Sequence, residues 1–349
     1  MDKKVEYLIV GQGLAGTFLA FELLKQNKQI VVVDQGHENS SSMVAAGIIN
    51  PLVLKRLTLT WRADEFLNYN STFYSELEAF LGGKYHFKTP IVKLIASKEE
   101  EEFWVHRFYK ADLEKYIEKE IEQAADTLKL AQKFNVGKVK QTSWVNISKL
   151  LLDFRAYLKK EGILIEENFD YKSIKNQGQY KSIAFEKLVF CEGAMAINNP
   201  FFNYLPFSLN KGQLLTIKSE ELAFDYILKK KVFILPIGNR NYKVGATYSW
   251  KWQDEKPEEE QSKLLQSQLN EMLDVPYKKV KLEAGIRPAV KDRRPLVGAH
   301  ELHKNYYLFN GMGSRGCFMA PLLANELVQN IEEGKQLHPE VLLSRFQKK

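Results

Sequence analysis

Val5-Glu-Tyr-Leu-Ile-Val10-Gly11-Gln-Gly13-Leu-Ala-Gly16 is the stretch whose reading decides the fold. Its first six residues are an apolar run that fits a buried strand. Leu14, Phe18, Leu19, Leu23 and Leu24 are then spaced for one buried face of a helix. Ile30 to Val33 reads IVVV, a β-branched run suited to a parallel strand covered on both sides, and it ends at Asp34. This order of strand, glycine turn, helix, strand and acid is the chemistry of a dinucleotide site. Gly11 permits the tight turn, Gly13 lets the backbone approach a pyrophosphate, and Gly16 allows helix and strand to pack closely. The helix amino terminus, with Leu14 and Ala15 as cofactor-binding candidates beside the glycines, offers free N–H groups and a partial positive charge to phosphates. Asp34 is placed to accept from a ribose 2′-hydroxyl. An acid there disfavours a 2′-phosphate, which makes NADP the poorest fit. From these residues alone FAD and NAD fit equally.

The segment after Asp34 argues for FAD. An NAD-binding domain continues with regular βα repeats, whereas here Gly36-His37-Glu-Asn-Ser40-Ser41-Ser42-Met-Val-Ala45-Ala46-Gly47-Ile-Ile-Asn50-Pro51 is rich in small residues and lacks bulky apolar periodicity. Small residues such as Ala45, Ala46 and Gly47 let a large flat ligand reach backbone N–H groups. By composition alone the run suits a flexible surface loop equally well.

Composition narrows the class. A chain of 349 residues predicts about two domains, and 45% apolar with 27% charged residues is ordinary globular usage. Disordered, collagen-like and disulfide-stapled classes are excluded. The only cysteines are Cys191 and Cys317, and no secretory signal is seen before Val5, so a reducing cytoplasm is the expected setting. No apolar run reaches the roughly eighteen residues of a membrane span. A net charge of +7 permits an anionic partner, including RNA, without requiring one. The six histidines fall in no zinc spacing, so no metal site is expected.

Along the middle of the chain, helices are expected at Asp64–Leu81, Asp112–Phe134, Ser143–Gly162 and Glu258–Leu273. Lys98 to Glu102 reads as a solvated turn or face. Lys187–Cys191 reads as a strand ending in Glu192-Gly193-Ala194. Gln213–Lys218, Val232–Leu235 and Tyr242–Thr247 read as strands, with a hairpin turn at Gly238-Asn-Arg-Asn241. Late in the chain comes Gly285-Ile-Arg287-Pro288-Ala-Val-Lys-Asp292-Arg-Arg-Pro295-Leu-Val-Gly298. Then a strand at Tyr306–Phe309 leads into Asn310-Gly311-Met-Gly313-Ser314-Arg315-Gly316-Cys317-Phe-Met-Ala320-Pro321, which enters a helix to about Glu332. A glycine-rich turn into a helix puts N–H groups and a positive end beside its ligand; the plainer reading is a helix cap with a surface arginine.

Taken together, these motifs resemble the D-amino-acid oxidase and glycine oxidase superfamily of flavoproteins over most of the chain. The Gly311–Pro321 motif is also similar to the oxidase half of the bifunctional tRNA wobble-uridine modification enzyme. The resemblance implies an α/β fold. A Rossmann-like FAD-binding domain (1–60, 140–200 and 285–349) would interleave with an α+β substrate domain (61–139 and 201–284) roofed by a mostly antiparallel sheet. It implies non-covalent FAD, held by the first glycine turn, Ala45 to Gly47, Gly193, and Gly313 to Cys317. Arg287 occupies the family's carboxylate-binding position; a structural salt bridge is the plainer role. Arg315 is a second candidate, shifted by one position from the arginine of single-domain glycine oxidases, which puts glycine itself in doubt as the substrate. Tyr171 stands where the family usually has a valine in its adenine contact. Tyr248, and with it Trp250 and Trp252, are candidates for the pocket lining, with core packing as their default. Lys211 is a candidate for assisting the reaction of oxygen.

The implied activity is oxidation of a small amine or amino acid of the glycine, sarcosine or D-amino-acid type to an imine. Electrons would pass through FAD to oxygen or another acceptor. Two alternatives stand beside it. One is a tRNA-modifying oxidase that removes a carboxymethyl group from carboxymethylaminomethyl-uridine; the other is a flavin-binding protein without turnover.

Overall fold

The computed structural model describes residues 3–36, 40–110 and 113–346. His37 in the small-residue run and Asp112, the first residue of an expected helix, lie outside them. In chain order, the elements that build the two large sheets and their helices are β1 (Lys3–Val10), α1 (Leu14–Lys25), β2 (Ile30–Val33), α2 (Ala63–Leu81), β3 (Ile91–Ile95), α3 (Lys98–Lys110), β4 (Ile117–Gln123), β5 (Asn135–Val139), α4 (Ile147–Lys160), β6 (Leu164–Ile165), β7 (Ile183–Phe190), β8 (Asn210–Lys218), β9 (Ile227–Lys229), β10 (Phe233–Gly238), β11 (Asn241–Gly245), α5 (Glu259–Asn270), β12 (Lys278–Arg287), β13 (Leu296–Ala299), β14 (Tyr306–Asn310) and α6 (Gly316–Glu333).

The first sheet runs β6-β2-β1-β7-β14, all neighbours parallel, with β13 antiparallel at β14. Parallel strands are covered on both faces, and the apolar runs read from sequence supply both cores. On one face Tyr7, Ile9 and Val32 pack with Phe18 and Leu23 of α1 and Leu323 and Leu327 of α6. On the other, Leu8, Val31 and Val33 pack with Leu188, Phe190 and Tyr306. Helix α2 adds Phe66, Phe73, Tyr74 and Leu77 to the first of these cores, so most of its buried face packs with the parallel sheet, while Leu67 packs against the roof and Asp64 accepts from the Tyr116 hydroxyl. Each fully buried phenylalanine here contributes about 2–3 kcal/mol by removal from water.

The second sheet runs β12-β8-β11-β10-β9-β3-β5-β4 and is antiparallel except at the β9–β3 pair. One face is closed by α5, whose Leu265 and Leu269 meet Leu215, Ile217, Ile234 and Val244. The other face looks back at the carboxyl ends of the parallel strands. A mixed α/β fold with an antiparallel roof is what the sequence motifs predict.

Two expected elements are corrected, and the Lys98–Glu102 run is the solvated face expected of it. Asp112–Phe134 is not a helix: Ile117–Gln123 is an edge strand on β5. Ile117 and Ile121 are four residues apart, a spacing that serves one face of a helix and one face of a strand alike, so period cannot separate them. Ser143–Val145 is a strand pairing with Ile48–Ile49 and His86–Lys88, and the helix starts at Ile147. There the Asn146 side chain accepts from the Lys149 amide and caps it. Lys98 to Glu102 is the first turn of α3, where three glutamates complement the positive helix end.

Candidate active site

The turn between β1 and α1 is built on contacts that exclude side chains. Gly11 has φ +98°, and a Cβ there would lie 2.6 Å from the Cys191 carbonyl oxygen. A Cβ on Gly16 would lie 1.9 Å from the Gly11 oxygen, so Gly16 does not face the cleft; it lets the helix close on the turn. At the mouth of α1 the Leu14 amide donates to the Ser42 hydroxyl at 3.1 Å. Among the described residues the amides of Gly13 and Ala15 have no acceptor, which leaves them to a ligand. Asp34 accepts from the Gln12 amide at 2.7 Å, the Gly36 amide at 2.8 Å and Arg155 Nη1 at 2.7 Å. Arg155 also donates to Gln12 Oε1 and Glu166 Oε1, each at 3.0 Å. The acid is thus fixed in direction at the end of β2, facing the cleft beside the turn.

Two more segments converge on this point. The small-residue run folds over α1, with Ala45, Ala46 and Gly47 on the cleft wall. Gly47 has φ +73°, and a Cβ there would lie 2.0 Å from the Val145 oxygen. From the opposite side comes the amino terminus of α6, with Gly313, Ser314, Arg315, Gly316 and Cys317 on the wall, and Gly193 follows β7. Two helix amino termini therefore face one space. Burial pushes the Cys317 thiol up to about 12 and raises that of Cys191 as well, so both are held as thiols.

The roof supplies a guanidinium. Arg287, at the end of β12, donates through Nη1 to Asn210 Oδ1 at 2.9 Å and the Thr247 carbonyl at 3.2 Å. Its Cζ sits 4.2 Å from the Tyr248 ring centroid. Gly212 on β8 makes room for it, since a Cβ there would come within 1.9 Å of Arg287 Nη2. Arg315 reaches across to the Asn50 carbonyl at 2.8 Å. Among the described residues neither arginine forms an ion pair with a carboxylate. Burial draws both pKa values down, yet a guanidinium remains cationic. The salt-bridge reading of Arg287 therefore falls. Tyr248 is 53% exposed and stacks on the exposed Trp250, ring centroids 6.3 Å apart.

Every candidate site residue except Gly16, Lys211, Trp250 and Trp252 lines this one cleft. Lys211 is a correction. It points away from the cleft, is 1% exposed and donates to Glu258 Oε1 at 2.5 Å. Residues alternate faces along a strand, so Gly212 facing the cleft turns Lys211 outward. Arg155, Ser42, Gly212 and Glu192 were missed. Arg155 had a signal, a charge on the buried stripe formed by Leu151, Phe154 and Leu158 of α4. Glu192 accepts from Asn199 Nδ2 at 2.7 Å and from the Tyr171 hydroxyl, and burial raises its pKa to about 7.

The cleft holds about 1060 Å³, above the usual range for a pocket that takes one drug-sized ligand. Its size, the free amides at both helix ends and the glycine cradle fit a flavin dinucleotide with space beyond it for a small substrate. Among the described residues no cluster of ligands could hold a metal ion, and no helix is long and apolar enough to cross a membrane.

A parallel sheet that presents a dinucleotide cradle to an antiparallel roof defines a dinucleotide-dependent oxidoreductase. Residues 6–330 match the FAD dependent oxidoreductase (DAO) family, and the chain belongs to it. It is an enzyme, and its cofactor is FAD. Among solved structures, glycine oxidase from Geobacillus kaustophilus matches with TM-score 0.77 at 20% identity, over 96% of each chain. Iminodiacetate oxidase from Chelativorans sp. BNC1 matches with TM-score 0.75 at 18% identity, over 98% of each chain. L-proline dehydrogenase from P. horikoshii matches with TM-score 0.77 at 16% identity, over 97% of this chain and 96% of that one. At these identities the likeness is one of fold.

Proposed function

We propose that the enzyme oxidises the C–N bond of a small amine or amino acid to an imine, which water then hydrolyses to an oxo compound and an amine. Non-covalent FAD, when bound, supplies the two-electron acceptor, and oxygen or another acceptor takes the electrons onward. Arg287 carries this reading. It is a half-buried cation on the roof, held by two neutral carbonyl oxygens and facing the cleft, and its planar fork matches a carboxylate. Asn210 and Thr247 fix the fork, and the ordered guanidinium orients the substrate so that its C–H bond faces the cofactor; orientation of this kind removes much of the barrier. Gly11, Gly13, Leu14 and Ala15 hold the diphosphate, Asp34 the ribose, and Ala45 to Gly47, Gly193 and Gly313 to Cys317 the rest of the cofactor. The amino terminus of α6 stabilises negative charge that develops at the flavin. The cofactor segments are 1–60, 140–200 and 285–349 together with α2; 201–284 forms most of the roof. The two free, buried cysteines suit a reducing cytoplasm.

A second reading keeps the chemistry and takes carboxymethylaminomethyl-uridine in tRNA as the substrate. The exposed Tyr248–Trp250 stack beside Arg287 favours it, because stacked aromatics accept a planar base.

Anaerobic titration of the FAD-loaded enzyme decides between the two. Bleaching of the flavin band by glycine, sarcosine, D-amino acids or related amines is expected. If all of these leave the flavin oxidised while modified tRNA reduces it, the second reading replaces the first; if none reduces it, both fall.

A further inference from the structure

Two half-buried guanidiniums, not one, face the substrate end of the cleft. Arg287 on the roof and Arg315 at the amino terminus of α6 come from opposite walls, and Tyr248 lies close enough to both to interact with each charge. Arg287 spends Nη1 on Asn210 and Thr247. Arg315 spends Nη1 on the Asn50 carbonyl and reaches the Leu52 carbonyl only at 3.4 Å. All these partners are neutral oxygens. The carboxylates on the cleft wall have other partners or face solvent: Asp34 and Glu166 are engaged by Arg155, Glu167 by Tyr180 and Lys181, Glu192 by Asn199 and Tyr171, and Glu255 is exposed.

A charge drawn partly out of water gains from a paired anion, and each guanidinium has five donors to fill. A substrate with a single carboxylate satisfies Arg287 and leaves a second, half-buried cation in the same cleft with neutral partners alone. We propose that the substrate carries two carboxylates, one received by Arg287 and the other by Arg315, with the oxidisable C–N bond between them. An N-(carboxymethyl) amino acid or another iminodicarboxylate has this form. The inference rests on the amine-oxidation reading for its chemistry and on the two arginines for its charge. It assigns Arg315 as a specificity-determining residue.

Ether isosteres separate the two parts, because they bind without being oxidised. In the FAD-loaded enzyme, perturbation of the flavin spectrum by oxydiacetate (two carboxylates) and by methoxyacetate (one) gives two dissociation constants. Oxydiacetate is expected to bind at least about tenfold more tightly, the scale of one charge-assisted pair. R315Q is expected to bring the ratio close to one, and R315K to restore part of it. Equal affinities in the unaltered enzyme overturn the inference. So does an R315Q enzyme that weakens both ligands alike and keeps their ratio, which marks Arg315 as merely structural. Anaerobic reduction by iminodiacetate and by sarcosine is run alongside. If the diacid preference and its loss in R315Q appear while no amine reduces the flavin, the two-carboxylate site stands and the amine reading falls.

Discussion

At single residues the site is set by atoms that are missing as much as by those present. Gly11→Ala places a methyl group 2.6 Å from a backbone oxygen at a φ that L-residues avoid. It is expected to cost roughly 2–4 kcal/mol, read as a lower urea midpoint together with lost FAD affinity. Gly212→Ala is a subtler probe. Its Cβ collides first with the end of the Arg287 side chain, so the guanidinium must move. Half-saturation by a carboxylate substrate should rise more than about tenfold while FAD content is retained. Glu192 carries the pH dependence. Its pKa is raised from 4.5 to about 7, chiefly by burial. A raised carboxyl pKa means the fold favours the protonated form, so this stability is fully present below pH 4.5 and is lost as pH rises through 7. The loss is roughly 3 kcal/mol at most. Glu192→Gln cannot lose it, so urea unfolding at pH 5 and pH 7.5 should show the variant gaining on the parent as pH rises. A pH-independent difference would contradict the assignment.

At the level of elements, alternation along β8 separates function from support. Gly212 opens onto the cleft, whereas Lys211 turns to the other face and pairs with Glu258 at the start of α5. Glu258→Gln leaves a lysine that is 1% exposed with Asp254, 3.9 Å away, as its remaining carboxylate. Because the glutamate is itself partly exposed, the expected loss is about 1–3 kcal/mol. It should appear in thermal unfolding and leave the bound-flavin spectrum unchanged. Elements were legible in the sequence where one period applied without competition: β1, α1, β2, α2 and α6 follow their apolar spacing. Elements near charged edges were not. The strand at Ile117–Gln123 exposes glutamates and one lysine, and its two isoleucines satisfy either period.

Across the whole molecule, the cleft lies between two sheets with separate cores, and a ligand that touches both walls couples them. Saturating FAD is therefore expected to raise the unfolding free energy by about 2.7 kcal/mol at a hundredfold excess over its dissociation constant. ADP at the same free concentration, which reaches only the β1–α1 end, should raise it less, and differential scanning fluorimetry reads both. An equal shift from ADP would mean that the roof and α6 contribute nothing to holding the flavin.

Local sequence by itself determined the dinucleotide cradle. Glycine turn, helix start and terminal acid lie within one βαβ unit, and their roles follow from backbone sterics over a few residues. It also located Arg287 and Arg315 through motifs whose turns are short. Only the tertiary structure decided how these parts face one another. The pairing of Arg155 with Asp34, the room Gly212 makes for Arg287, the outward turn of Lys211 and, among the described residues, the absence of a carboxylate partner for either cleft arginine all depend on segments far apart in the chain. Close packing fixes those relations, and no spacing within a single element encodes them.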